Sequence, residues 1–217
     1  MSIKYVLFDL DGTLIDSKPG IISCLKTALF EYDAYTDHVD FNQFIGPPLM
    51  NSLVDVLQID PDRADMIVKR YRTLYGEKGL YDSILYEGIH QVLMYLTDNG
   101  FELMVATSKP IQFARVMLEH FDISSYFSWV SASDFARTYD TKQRVITDAL
   151  EHCNITDYNQ VIMVGDRNHD IIAAKAVGIK SLGVLYGYGD RVELESAGAD
   201  FIVRSPSELT ELFHTWL

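Results

Sequence analysis

Short runs rich in Val, Ile, Leu and Met recur along this chain without strict polar alternation: "KYVLF" (4–8), "ELMVAT" (102–107), "WVSAS" (129–133), "VIMVG" (161–165) and "KSLGVL" (180–185), with "DFIV" (200–203) as a late sixth. A strand with one wetted face alternates apolar and polar residues. A continuous apolar run is what a strand covered on both faces requires. Helical patterns lie between the runs. In "EGIHQVLMYLTDNG", Ile89, Val92, Leu93 and Leu96 fall on one side, with Gly100 as the stop. "PIQFARVMLEHF" opens on Pro110, which suits a first helical turn, and "TKQRVITDALEHC" and "DIIAAKAVG" repeat the logic. Strand alternating with helix predicts an α/β, doubly wound parallel sheet.

Residues 17–82 break that rhythm. "PGIISCLKTALFEY", "PLMNSLVDVLQI" and "PDRADMIVKRYRTLYGEKG" all read as helices with no strand between them, whereas neighbouring parallel strands need one crossover helix. The sequence therefore predicts a small α-helical domain at 17–82, inserted into a core made of 1–16 and 83–217. A chain of 217 residues, 48% hydrophobic, has enough apolar mass for both.

A net charge of −13 and the lack of any Lys/Arg-rich run argue against nucleic acid as a partner. No apolar run approaches the roughly 18 residues of a membrane helix, and the N-terminus has no leader pattern. Cys24 and Cys153 are far apart and lack metal-ligand spacing, which suits free thiols in a reducing compartment. The expectation is a cytoplasmic protein, monomer or homodimer, with no membrane partner.

The first apolar run ends in "FDLDGTLIDS" (8–17). In an open parallel sheet, ligands bind beyond the carboxyl ends of the strands, and Asp9 lies at such an end. Period-2 geometry turns Asp9 and Asp11 to one side if the strand runs that far. Two carboxylates so close require either a proton or a cation between them. Gly12 lets the backbone turn away. Other strand ends carry matching groups. "LMVAT" leads into Thr107-Ser108-Lys109, whose hydroxyls and amides suit phosphate oxygens. "VIMVG" leads into Asp166 and, four residues on, Asp170 near a helix start, where an acid also suits the helix dipole. Lys142 opens a helix, an unfavourable place for a cation without a partner such as Asp170. Together Asp9, Asp11, Asp166 and Asp170 offer hard oxygens for Mg2+, while Thr107 and Lys142 offer a donor and a charge for a phosphate dianion. That set reads as a phosphoryl-transfer site.

These residues resemble the four motifs of the haloacid dehalogenase superfamily: "DLDGTL" (9–14), Thr107 of "VATSKP", Lys142, and "VGDRNHD" (164–170). "FIGPPLMNSL", "GVLYGYGD" and "AGADFIVRSPSEL" are similar to its phosphoglycolate phosphatase-like and 5′-nucleotidase-like branch, where a helical cap follows the first motif. Many relatives carry a proline-containing pattern after the third-motif lysine, where this chain reads "TKQRVI".

The resemblance implies a Mg2+-dependent phosphatase acting on a small phosphorylated metabolite. A nucleoside 5′-monophosphate is the leading expectation and 2-phosphoglycolate the alternative; a phosphomutase on the same scaffold is a further one. Asp9 is implied as nucleophile and metal ligand, Asp11 as acid and base and as a metal ligand through its carbonyl, and Asp166 as metal ligand. Asp170 is implied to position Lys142 and the metal's water shell. Thr107, the amide of Ser108 and Lys142 are implied to hold the phosphoryl group. Protonation of Asp11 is expected from acids crowding it. Lys18, Gly46 and Pro47 are candidate substrate contacts from the cap.

Overall fold

The computed structural model describes residues 3–46, 49–134 and 141–217. It divides into two compact units: Met1–Asp16 with Leu85–Leu217, and Ser17–Ile84.

The first unit is built on a six-stranded parallel sheet of β1 (Tyr5–Phe8), β4 (Glu102–Pro110), β5 (Phe127–Ser133), β6 (Val161–Gly165), β7 (Lys180–Val184) and β8 (Phe201–Val203). Strand order is β5-β4-β1-β6-β7-β8. The chain builds outward from β1 on one side, then crosses back to build on the other. β1 is thus flanked by both halves, and the end of such a strand is where a crevice opens in a doubly wound sheet. The helices of this unit are α4 (Ile89–Asp98), α5 (Ile111–His120), α6 (Lys142–His152), α7 (Asn168–Val177), α8 (Arg191–Ala197) and α9 (Pro206–His214). Two strands of two residues, β2 (Ile15–Asp16) and β3 (Ile84–Leu85), pair separately. They are too short to leave a periodic trace, which is why sequence reading passed over them.

The apolar runs are continuous because both sheet faces are covered. On one face Leu7, Met104, Val161 and Met163 pack against Val145, Ile146, Ala149 and Leu150 of α6 and Ala173 and Ala174 of α7. The alternate residues Val6, Phe8, Leu103, Val105, Ile162 and Val164 are equally buried.

The second unit holds α1 (Lys18–Glu31), a 3-10 turn at Phe41–Phe44, α2 (Leu49–Asp55) and α3 (Pro61–Leu74) followed by a π-turn at Tyr75–Gly79. Asp60 starts α3 by accepting from the Asp62 and Arg63 amides at 3.0 and 3.4 Å, with Pro61 in the first turn. Leu25 and Leu29 of α1 and Ile67 and Val68 of α3 are buried. The exposed Arg70–Glu31 pair joins α3 to α1 and contributes little beside that packing.

Leu7 occupies the central strand and is wholly buried. Leu7→Ala is expected to cost about 2–5 kcal/mol in urea unfolding; a loss below about 1 kcal/mol would contradict this placement of the core.

Candidate active site

Asp9 and Asp166 stand at the carboxyl ends of the neighbouring strands β1 and β6, and Thr107 lies near the end of β4 on the other side of β1. Asp9 follows β1, and its amide still donates to Val164 O of β6 at 2.9 Å, so the carboxylate leaves the sheet from a ladder position. Beyond it the chain curls tightly. The Leu14 and Ile15 amides both return to Leu10 O, and Gly12 adopts φ +83° to donate to Ile15 O at 2.8 Å. Any side chain at position 12 would also overlap the Asp166 carboxylate.

Asp166 follows β6, and Asp170 lies in the first turn of α7. Oxygens of Asp9, Asp166 and Asp170 lie within 4.8 Å of one another. Lys142, first residue of α6, donates to Asp9 Oδ1 and Asp170 Oδ1, each at 2.8 Å, and is buried. Thr141 caps that helix by accepting from the Arg144 amide at 3.2 Å. Asp170 makes two contacts at once: Oδ1 faces Lys142 while Oδ2 accepts the Arg167 amide at 3.1 Å at the helix start.

Asp166 is gripped from two sides. Thr13 Oγ1 donates to Oδ1 at 3.1 Å and the Tyr188 amide to Oδ2 at 2.8 Å. The Tyr188 amide arrives because the loop after β7, "LYGYGD", lies against the acid. A side chain at Gly187 would overlap Gly12 O and Asp166 Cβ, and one at Gly189 would overlap Asp166 O. Tyr188 Oη donates to Asp16 Oδ1 at 3.1 Å. Tyr186 packs edge-on to Tyr86 at 5.1 Å between centroids, with its hydroxyl buried and without a hydrogen-bond partner among the described residues. The glycine spacing of this loop was visible in the sequence, but not the acid it packs on.

Three carboxylates against the one ammonium of Lys142 leave a formal −2 at this point. Burial raises the Asp9 pKa, Lys142 opposes the rise and Asp170 adds to it. Burial, then Asp170 and Asp9, push Asp166 up to about 8. Burial by itself would lower Lys142, but Asp170 and Asp9 outweigh it and hold it raised. Three hard oxygen donors with uncompensated charge fit a divalent cation.

Asp11 departs from expectation. Rather than a crowd of acids, its carboxylate faces Lys109, whose Nζ reaches Oδ1 and Oδ2 at 2.9 and 2.8 Å. Lys109 is the penultimate residue of β4, and its amide donates to Thr107 Oγ1 at 3.2 Å. Thr107 is buried and Ser108 exposed. Lys18 opens α1, and Gly46 follows the 41–44 turn at φ +103°. Both belong to the second unit, while Pro47 lies outside the described residues.

Residues 6–184 match the family model described as haloacid dehalogenase-like hydrolase. The chain is 35% identical over 199 residues to a 5′-nucleotidase of Pseudomonas aeruginosa, covering 88% of this chain and 86% of that protein. It is 32% identical to a pyrophosphatase of Anoxybacillus flavithermus, covering 98% and 97%. A crystal structure of a predicted phosphatase from Clostridium acetobutylicum superposes with a TM-score of 0.92 at 39% identity, covering 99% and 100%. Among the described residues, no helix is long and apolar enough to cross a membrane.

Two measurements bear on the cluster. Between the ordinary carboxylate range and about 8, folded Asp166 keeps a proton that the unfolded chain has released, so metal-free stability falls as pH rises through that window. The Tm of chelator-treated protein is expected to fall from about pH 5 to about pH 8, with added Mg2+ restoring more at the higher pH. A flat profile identical to that of Asp166→Asn would contradict the crowding. Gly187→Ala should weaken Mg2+ binding about tenfold or more in calorimetry by displacing Asp166; unchanged affinity would show that the loop grips nothing.

Proposed function

The chain belongs to the haloacid dehalogenase-like hydrolases and is a phosphatase of that family, and from that premise we propose that it hydrolyses a small phosphomonoester through an aspartyl-phosphate on Asp9. The observation that carries this reading is the meeting of Asp9, Asp166 and Asp170 around Lys142 at the rim of the sheet.

An oxygen of the Asp9 carboxylate attacks phosphorus in line as the bond from phosphorus to the ester oxygen breaks. Asp11 gives its proton to that departing oxygen, producing the free alcohol. A water then attacks the phosphorus of the acyl phosphate while Asp11 takes a proton from it. The bond from phosphorus to Asp9 breaks, inorganic phosphate leaves and both acids return to their starting forms. Thr107 and the Ser108 amide hold the transferred group, and Lys142 offsets its charge. Lys142 already bridges Asp9 and Asp170, so the cation is in place before substrate arrives. Mg2+, held by Asp9, Asp166, Asp170 and the Asp11 carbonyl, would supply the positive charge that lets a carboxylate approach a phosphate dianion. The helical unit, with Lys18, Gly46 and Pro47 as candidate contacts, serves as the cap that selects substrate and limits water.

A nucleoside 5′-monophosphate is the preferred substrate class, supported by the 35% identity to a protein named 5′-nucleotidase. Purified protein with Mg2+ is expected to release phosphate from nucleoside 5′-monophosphates faster than from 2-phosphoglycolate. Asp9→Asn should lower kcat by at least about a thousandfold. No phosphate from any ester in the panel, or an unaffected Asp9→Asn, would end the reading; faster turnover of 2-phosphoglycolate would overturn the nucleotide assignment.

A further inference from the structure

Lys109 is a lysine with almost no solvent, its side chain only 4% exposed. A buried ammonium needs a partner with matching charge, and here the partner is Asp11, both of whose oxygens it engages. The strand explains the aim. Thr107 is buried, Ser108 exposed and Lys109 buried, so the period-2 alternation sends Thr107 and Lys109 to the same side of β4. β4 lies beside β1, from whose end Asp11 emerges. The pairing of β4 with β5 slips between Thr107 and Pro110, so the segment carrying Lys109 is irregular where it passes the site. One residue therefore touches two functional groups: its ammonium holds the acid, and its amide donates to the Thr107 hydroxyl, leaving the O–H of that threonine to donate elsewhere.

We propose that Lys109 is a positioning residue for the leaving-group step, holding the Asp11 carboxyl group in the direction from which it serves the departing oxygen. The inference rests on the role of Asp11 given above and adds a residue that role does not contain. Asp11 stands in a tight curl with its side chain 21% exposed. A carboxylate there, without a fixed partner, is free to turn among rotamers and to water. Contact with one ammonium removes that freedom before substrate binds: when Asp11 carries its proton, one oxygen still accepts from Lys109 and the other is left to donate, so the carboxyl group needs no reorientation as the phosphorus–oxygen bond breaks. A misplacement of about 1 Å at such a group costs on the order of a hundredfold in rate. A lysine that only tied two strand ends together would not discriminate between leaving groups.

Leaving-group dependence separates the two roles. An alkyl phosphomonoester must have its oxygen protonated as it leaves, whereas the phenolate of p-nitrophenyl phosphate departs unaided. With folded, Mg2+-loaded protein, Lys109→Met is expected to lower kcat/KM for a nucleoside 5′-monophosphate by about ten- to a hundredfold, and for p-nitrophenyl phosphate by less than about threefold. Lys109→Arg, which keeps a cation able to meet both oxygens, should recover most of the alkyl-ester activity. Lys109→Gln gives the same readout if the methionine variant does not fold. Equal losses on both esters would overturn the inference. Asp11→Asn run alongside distinguishes the failures. Selectivity against the alkyl ester in Asp11→Asn but not in the Lys109 variants sinks Lys109 alone, whereas its absence from Asp11→Asn sinks the role of Asp11 and this inference with it.

Discussion

Like charges at one buried point repel, and Asp9, Asp166 and Asp170 place three of them within 4.8 Å. Neither burial nor crowding favours the ionised forms, as the upward shifts of Asp9 and Asp166 record. Such a cluster persists only if cations and amide donors oppose the repulsion. Lys142 bridges two of the acids, the Arg167 amide holds Asp170, the Leu10 amide holds Asp9, and Thr13 with the Tyr188 amide holds Asp166. Asp9 and Asp170 are thus each aimed by a local amide together with Lys142, and Asp166 by donors from two other segments. The remaining formal −2 is the charge that a divalent cation can offset.

That arrangement dictates small residues around it. Gly12 and Gly187 approach Asp166 so closely that a methyl group on either would displace it. The "YGYG" spacing is therefore a packing requirement: Gly187 and Gly189 seat the loop, and the residue between them supplies its amide to the acid. The same loop brings both Tyr186 and Tyr188 to Tyr86, one packing on its ring and the other hydrogen-bonded to it while donating to Asp16. The Lys109–Asp11 ion pair, closed at 2.8 Å, gives the proposed proton carrier a cationic partner of its own.

Much of the architecture was legible from local pattern. Strand runs such as "VIMVG" announce themselves because a strand buried on both faces has no polar alternation, and the structure places that run in β6. Acids directly after such runs stand at strand ends, where an open parallel sheet binds its ligands, so Asp9 and Asp166 were visible as candidates. Asp170 was ambiguous between helix cap and ligand because an acid at a helix start serves both, and in the structure it faces Lys142 and the Arg167 amide together. The expected surroundings of Asp11 differed for a related reason. Lys109 stood in the quoted strand end, but its partner is 98 residues away, and no local period encodes which lysine meets which acid.

The amino-acid order by itself determined the alternation of covered strands and helices and the residue types at the strand ends, since both follow from periodicities of two and 3.6 residues acting over short spans. Which groups meet was decided only by tertiary structure. The adjacency of β4, β1 and β6 brings residues about 100 to 160 positions apart into contact. Ion pairing, burial and close glycine contact act over a few ångströms in space whatever the separation along the chain.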